Sequence, residues 1–299
     1  MQSSRRKFIR NSSVLAASLL FKPKFTVVEN KRITGIQLYT VRDDMKKAPL
    51  DTLKQLAAMG YKYVEHANYA DRKFYGYTAK EFRKMLDDLG MYMPSGHTVM
   101  KPEHWVAAKN DFSDSWKQTV EDAAIAGQQY VISPWLDESL RKTYDDALHY
   151  MEVFNKSGEL CKQSGMKFGY HNHDFEFSVK LNNKTLYEII LENTDPHLVA
   201  QQFDTGNLFN GGVTAMEIIG KYPGRFELMH VKDETAVTGE KEKYESTILG
   251  KGIAEVKNVI DLGKAHGTTH FIIEQEAYQG KAPLDCARED LQVMKAWGY

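Results

Sequence analysis

From Arg32 onward the chain alternates two hydrophobic periods without a break. Short β-prone runs, rich in apolar and aromatic residues, give way to longer stretches in which apolar residues return every three or four positions. The short runs predict strands at Ile33–Tyr39, Tyr61–Glu65, Tyr92–Pro94, Tyr130–Ser133, Lys167–His171, Leu198–Phe203, Phe226–Val231 and His270–Glu274. The longer ones predict helices at Leu50–Met59, Ala79–Leu89, Trp116–Ala126, Tyr144–Ser164, Thr185–Glu192, Ala215–Lys221, Ile253–His266 and Leu284–Trp297. Gly60, Gly90, Gly127, Gly165 and Gly267 stand where helices should end in a left-handed cap, each within three residues of the next strand. Eight strand–helix pairs over about 265 residues is the count of a single (β/α)8 TIM barrel, an α/β fold. The first strand is followed by YTVRDD rather than G-x-G-x-x-G, and no linker splits the chain, so neither a doubly wound sheet nor a second domain is expected.

Composition removes some functions. With 42% hydrophobic and 26% charged residues over 299 positions, the chain is ordinary globular protein and long enough to build a large core. A net charge of −1 carries no basic excess, so no nucleic-acid partner is expected. Cys161 and Cys286 fall in helical segments, match no metal-site spacing and read as unpaired. The start, MQSSRRKFIRNSSVLAASLLF, differs from the rest. Its apolar run Val14–Phe21 is shorter than the roughly 20 residues a bilayer span needs. Ser4-Arg5-Arg6-Lys7-Phe8-Ile9 resembles a twin-arginine export signal. Residues 1–28 are therefore expected to be a signal removed from a periplasmic mature protein, with cleavage between 17 and 28 and the barrel occupying 29–299. No membrane insertion of the mature protein is expected. Twin-arginine export carries folded, often cofactor-loaded proteins, a first hint of a metal.

In such a barrel the chemistry gathers at the C-terminal ends of the strands. Six of the eight expected ends carry ionisable side chains: Glu65-His66, His97, His171-Asn172-His173-Asp174-Phe175-Glu176, Asp204-Thr205-Gly206-Asn207, His230-Val231-Lys232-Asp233 and Glu274-Gln275-Glu276. Five of the ten histidines lie there. One such residue is ordinarily a turn-former or a cap; six strands contributing together predict a site. Imidazole plus carboxylate is the ligand set of a divalent ion such as Mn, Co, Zn, Ni or Mg. Asp204, His230 and Glu274 are the expected ligands, with a fourth from strand five, His171 being assigned ahead of His173 and Glu176. Glu274 and Glu276 share a strand face, so one can ligate while the other orients a ligand or holds substrate. His173, Glu176, Glu276 and His97 are the candidate bases. Lys232 is the candidate for neutralising a developing oxyanion, or else a loop lysine paired with Asp233. Tyr39, Glu65, His66, Trp135 and Asn207 are the candidate substrate contacts. Other loop aromatics, Tyr69, Phe74, Tyr75, Tyr77, Trp105 and Phe175, offer stacking surfaces for sugar C–H faces, about half of them expected to be packing. Leu249-Gly250-Lys251-Gly252 reads as a turn and cap rather than a phosphate seat.

GIQLYTVRD, YKYVEHANY, SGHT, GYHNHDFEF, QQFDTGNL, YPGR followed by LMHVKD, and FIIEQE together cover nearly all the strands. In these pieces the chain resembles the sugar phosphate isomerase/epimerase family with a xylose-isomerase-like barrel, which also includes inosose dehydratases and, more distantly, endonuclease IV. The resemblance implies metal-dependent proton abstraction next to a sugar carbonyl, through an enediolate. It leaves epimerases, isomerases, dehydratases and lyases open on one site. Family members with Glu at the strand-five ligand position use it also as a base, whereas here the segment reads His171-Asn172-His173. The expected partner is a small-molecule sugar, non-phosphorylated, acted on by one chain or a homo-oligomer. Epimerisation or isomerisation is expected ahead of β-elimination from a 3-keto-glycoside or inosose. A non-catalytic sugar-binding barrel is the rival from another class. A DNA phosphodiesterase is disfavoured by the neutral charge and the export signal.

Overall fold

Tyr130–Ser133 and His270–Ile273 are buried at every position. Strands with no exposed face belong in a parallel sheet covered by helices outside and filled by side chains inside. The computed structural model, which describes residues 32–238 and 243–299, places them so. Its strands are β1 Ile33–Gln37, β2 Tyr63–His66, β3 Tyr92–His97, β4 Tyr130–Ser133, β5 Lys167–His171, β6 Val199–Asp204, β7 Phe226–Val231 and β8 His270–Ile273. They pair in parallel in the closed order β1-β8-β7-β6-β5-β4-β3-β2. Around them lie α1 Pro49–Met59, α2 Ala79–Asp88, α3 Asp114–Ala126, α4 Tyr144–Gln163, α5 Leu186–Asn193, α6 Ala215–Lys221, α7 Val256–Ala265 and α8 Pro283–Ala296. The TIM barrel expectation holds for the described residues. The twin-arginine segment and its cleavage site lie outside them.

Local chemistry sets the helix ends. Thr78, Thr143 and Thr185 cap α2, α4 and α5 with their hydroxyls, each answered by an acid three residues on in a reciprocal capping box. The five expected cap glycines all have positive φ, from 64° at Gly90 to 106° at Gly60. One boundary moves far. β3 continues three residues past Pro94, because Ser95, Gly96 and His97 pair with Tyr130, Val131 and Ile132 of β4. Pairing with a neighbouring strand overrides the weak strand propensity of Pro-Ser-Gly. Gly96 is required there, since a Cβ would lie 1.9 Å from the His66 ring. β1 ends two residues early, where Leu38–Val41 turns into a 3-10 helix and lifts Tyr39 out of the sheet.

Small additions decorate the strand ends: a three-stranded flap between Tyr69 and Thr78, and antiparallel pairs at Trp105–Phe112, Lys180–Thr185 and Asp233–Thr247. Cys161 and Cys286 are buried and unbridged. Among the described residues no helix is long and apolar enough to cross a membrane.

Candidate metal centre and active-site cavity

The register of the first strands places Gln37, Glu65 and Ser95 side by side inside the barrel. His97 stands two residues beyond Ser95, as Asp204 stands two beyond Gln202, so each pair shares the inward face. A lower polar layer thus supports an upper one. Glu65 is the hub of the lower layer and is fully buried. Its Oε1 accepts from Gln37 Nε2 at 2.8 Å and His230 Nε2 at 2.6 Å, with His97 Nε2 3.1 Å away. Its Oε2 accepts from Gln202 Nε2 at 2.7 Å and from the Ser95 hydroxyl. Burial alone would raise the Glu65 carboxyl, but His97 and His230 hold it well below the usual carboxylate range.

The hub fixes which nitrogen each imidazole offers upward. The Gln202 amide nitrogen is committed to Glu65, so its oxygen faces the rings, 2.6 Å from His97 Nε2 and 3.2 Å from His171 Nδ1. His171 therefore carries its proton on Nδ1 and presents the Nε2 lone pair. His230 donates from Nε2 to Glu65 and turns Nδ1 toward Glu274 and Asp204. This is how outer partners orient metal-binding histidines.

His171, Asp204, His230 and Glu274 then converge, with one ligand atom from each within 4.8 Å of all the others. His230 Nδ1 lies 3.1 Å from Glu274 Oε2 and 3.7 Å from Asp204 Oδ2, and His171 Nε2 lies 3.9 Å from the same Asp204 oxygen. Ligands about 2.0–2.2 Å from one divalent ion stand roughly 3–4 Å apart, so the spacing fits. Asp204 Oδ1 accepts from the Asn207 N–H at 2.6 Å, whereas the buried Oδ2 has no hydrogen-bond partner. A buried carboxylate oxygen that accepts no hydrogen bond and meets only the Lys232 ammonium, beside two imidazoles, marks a candidate cation seat.

The proton affinities of the cluster are strongly displaced. Burial raises the Asp204 carboxyl to about 6, against the pull of Lys232 and with the push of Glu274. Burial would lower His230, yet Glu274 and Glu65 raise it to about 10, so without an ion Nδ1 also carries a proton, shared with Glu274, which a bound ion would displace. Burial opposes ionisation of Glu274 too, but Lys232 and His230 hold it well below its ordinary value. His171 is pushed far down by burial and by His230. Lys232 Nζ is 3.2 Å from Asp204 Oδ2, 3.2 Å from Glu274 Oε2 and 2.8 Å from Glu276 Oε1.

Above the cluster opens a cavity of about 890 Å³, walled near the metal seat by His97, His171, His173, Asn207, Glu274 and Glu276, with Tyr39 and Trp135 at its edges. His173 sits in the loop after β5. Its Nδ1 is unpartnered, and burial together with Lys232 lowers it to about 4, so the ring is neutral near pH 7. Trp135 packs edge-on against that ring, with centroids 5.3 Å apart.

Four expected site residues stand elsewhere. Glu176 neither lines the cavity nor joins the cluster. The turn Phe175–Ser178 carries it outward, where Oε2 accepts from the His173 N–H at 2.9 Å and Oε1 meets the Tyr170 hydroxyl. Glu65 lies beneath the cavity as the hub. His66 points away from substrate space into a contact with Phe74, centroids 4.7 Å apart, because the inward face of β2 is taken by Glu65. Lys232 is buried under the carboxylates and absent from the cavity wall. It does not pair with Asp233, whose carboxylate instead accepts from Glu234, Gly250, Gly252 and Ala254 N–H groups. That leaves the Gly250–Gly252 turn with its donors already satisfied. Of the loop aromatics, Tyr39, Tyr69 and Trp135 line the cavity, whereas Phe74, Tyr75, Tyr77, Trp105 and Phe175 pack on the core.

Sequence reasoning missed Gln37, Ser95 and Gln202, which are neutral. A signal existed: Ser95 and Gln202 each precede a flagged residue by two positions on a strand, and so face the same interior.

An inosose dehydratase of Clostridium perfringens is 31% identical over 102 residues, 34% of this chain and 33% of that protein. The chain thus matches about a third of that relative's length. The fold is shared with a sugar phosphate isomerase/epimerase crystal structure from Parabacteroides distasonis, at TM-score 0.75 and 24% identity over 91% of this chain and 96% of that one. It is also shared with an L-ribulose 3-epimerase, at TM-score 0.65 and 12% identity over 89% and 94%. Residues 53–297 match the model of the xylose isomerase-like TIM barrel, and the chain belongs to that family.

Proposed function

We propose that the protein is a divalent-metal-dependent enzyme that removes a proton α to the carbonyl of a non-phosphorylated keto sugar. The carrying observation is the convergence of His171 Nε2, His230 Nδ1, Glu274 and an Asp204 oxygen that accepts no hydrogen bond, at the floor of an open cavity. Held by these four, a divalent ion such as Mn, Co, Zn or Mg supplies Lewis acidity toward a carbonyl and its neighbouring hydroxyl. His173, neutral at the cavity wall, takes the C–H proton. Lys232 holds Glu274 and Glu276 in place from below. Trp135 and Tyr39 offer faces to the sugar ring.

Two outcomes are open to the carbanion. In β-elimination its electron pair forms a double bond to the next carbon. The C–O bond there breaks, and water or an alcohol leaves with the proton that His173 removed. Epimerisation instead returns a proton on the other face and needs a second proton-active group. We place elimination first, because Glu176 is turned away from the cavity and the relative matched at 31% identity is a dehydratase. Epimerisation is the second reading, favoured by Glu276, which reaches the cavity from the β8 side. Export through residues 1–28 would bring the enzyme to periplasmic sugars, free or glycosidic.

The test is turnover of keto sugars in heavy water, followed by NMR and by absorbance of a conjugated enone. Deuterium entering at the α carbon supports proton abstraction, and an enone selects elimination. Turnover without any solvent exchange would refute the reading and point to hydride shift. Metal-free protein whose Asp204→Ala variant keeps full sugar affinity would instead favour a binding barrel.

A further inference from the structure

The cavity extends well beyond the metal seat. Its far wall is built from pieces the barrel itself does not need: the flap after β2, which brings Tyr69 and Arg72, the loop after β3, which brings Lys101, and the first turns of α3, which bring Ser115 and Gln118. Cavities of about 300–1,000 Å³ hold drug-sized ligands, so about 890 Å³ exceeds what one pyranose ring fills.

The far wall offers the cavity no concentrated cationic seat. Arg72 is clamped by Asp122 at 2.9 and 2.7 Å and by Glu121 at 2.7 Å, and Tyr69 donates its hydroxyl to Asp122 at 2.7 Å. That guanidinium is therefore neutralised rather than offered to an anion. What remains is an aromatic ring, amide and hydroxyl groups, the His104 imidazole, and one side chain of each charge, Asp71 and Lys101. Such a surface suits an uncharged polyhydroxylated ring: an aromatic face for C–H groups and dispersed donors and acceptors for hydroxyls. A phosphate would call for a concentrated cationic seat.

We infer that this far half is a second sugar subsite, and that the natural substrate is a keto-glycoside of two rings, the oxidised ring at the metal seat and its partner sugar between the flap and α3. The inference rests on the proposed keto-sugar chemistry for the first ring only.

The experiment compares metal-loaded full chain acting on 3-keto-glucose, 3-keto-cellobiose and 3-keto-glucose 6-phosphate, with binding followed by tryptophan fluorescence. The expected result is a kcat/KM for the two-ring probe about ten-fold or more above the one-ring probe, the factor a few placed hydrogen bonds provide. Gln118→Trp, which fills the far half, should collapse that ratio toward one. Ser115→Trp, at an exposed position, repeats the test if the first variant misfolds. Equal turnover of one-ring and two-ring probes would overturn the subsite and leave the chemistry standing. Tighter binding of the two-ring probe without turnover of any would support the subsite and sink the chemistry. Preference for the phosphorylated probe, or a ratio untouched by both variants, also overturns the subsite.

Discussion

Both ends of the barrel carry charge, and they use it differently. At the strand starts, Lys167 pairs with Glu227 at 2.5 Å, and Glu227 also accepts from the Tyr130 hydroxyl at 2.9 Å. The pair is partly open to solvent, at 31% and 28% exposure, and each charge has its own partner. At the strand ends three carboxylates, Glu65, Asp204 and Glu274, are buried around two imidazoles and an ammonium, and one Asp204 oxygen accepts no hydrogen bond and meets only that ammonium. Paired charge at a wet rim holds a surface together weakly. Concentrated, incompletely satisfied charge in a dry layer shifts proton affinities and is suited to seat an ion. The parallel direction of all eight strands produces this asymmetry, because it puts every strand end, and every following loop, on one side.

The largest expected effect comes from opening the dry layer itself. Asp204→Asn should lower kcat/KM by more than the 10–100-fold that loss of an outer-layer partner brings, because a ligand atom is removed outright. Steady-state kinetics with excess metal check it, and retention of activity within a few-fold would break the contrast. Glu65→Gln comes next. It leaves the four ligands in place but disturbs the tautomer of His230, so metal Kd should weaken by about 10–100-fold, read by titration with a metallochromic chelator. An unchanged Kd would show that the hub merely fills space.

Glu176 sharpens the contrast at smaller scale. Burial pushes its carboxyl up to about 8, so the folded protein keeps a proton that the unfolded chain loses above its ordinary range near pH 4.3. Wild-type stability should therefore fall as pH rises from about 4.3 to about 8. Glu176→Gln copies the protonated acid, with an amide oxygen for the His173 N–H and a donor for Tyr170, and should lack that part of the slope. Melting temperatures should match near pH 5 and favour the variant by a few degrees at pH 9. Parallel curves across that range would place an ionised carboxylate there instead. The smallest effect belongs to the wet end. Lys167→Met should change stability by no more than about 1 kcal/mol in denaturant titrations and leave kcat/KM unaltered.

The barrel was legible because period is a long-range signal repeated sixteen times: β4, β5, β7 and α6 fall where the pattern puts them to the residue. β3 was cut short because pairing, not propensity, carries it through Pro94-Ser95-Gly96. Ionisable strand ends pointed to the cluster, since closure of the barrel leaves them one place to go. The division of labour among them was not legible. His171 and His173 look alike in sequence, and only the end of β5 at His171 separates cluster from cavity wall. Glu176 lost its place to a single helical turn, Phe175–Ser178, that sends it outward. Glu65 was flagged for its charge, but its role depends on Gln37, Ser95 and Gln202, neutral residues that become partners only after eight strands close.

The central claim is that His171, Asp204, His230 and Glu274 form one cation seat. Cobalt(II) titration of chelator-stripped protein, followed by visible d–d absorption, tests it most directly. The account predicts one ion per chain, with a band that is lost in Asp204→Asn and altered in His171→Ala. A wild-type protein that takes up no cobalt, or a spectrum and stoichiometry identical in both variants, would contradict it.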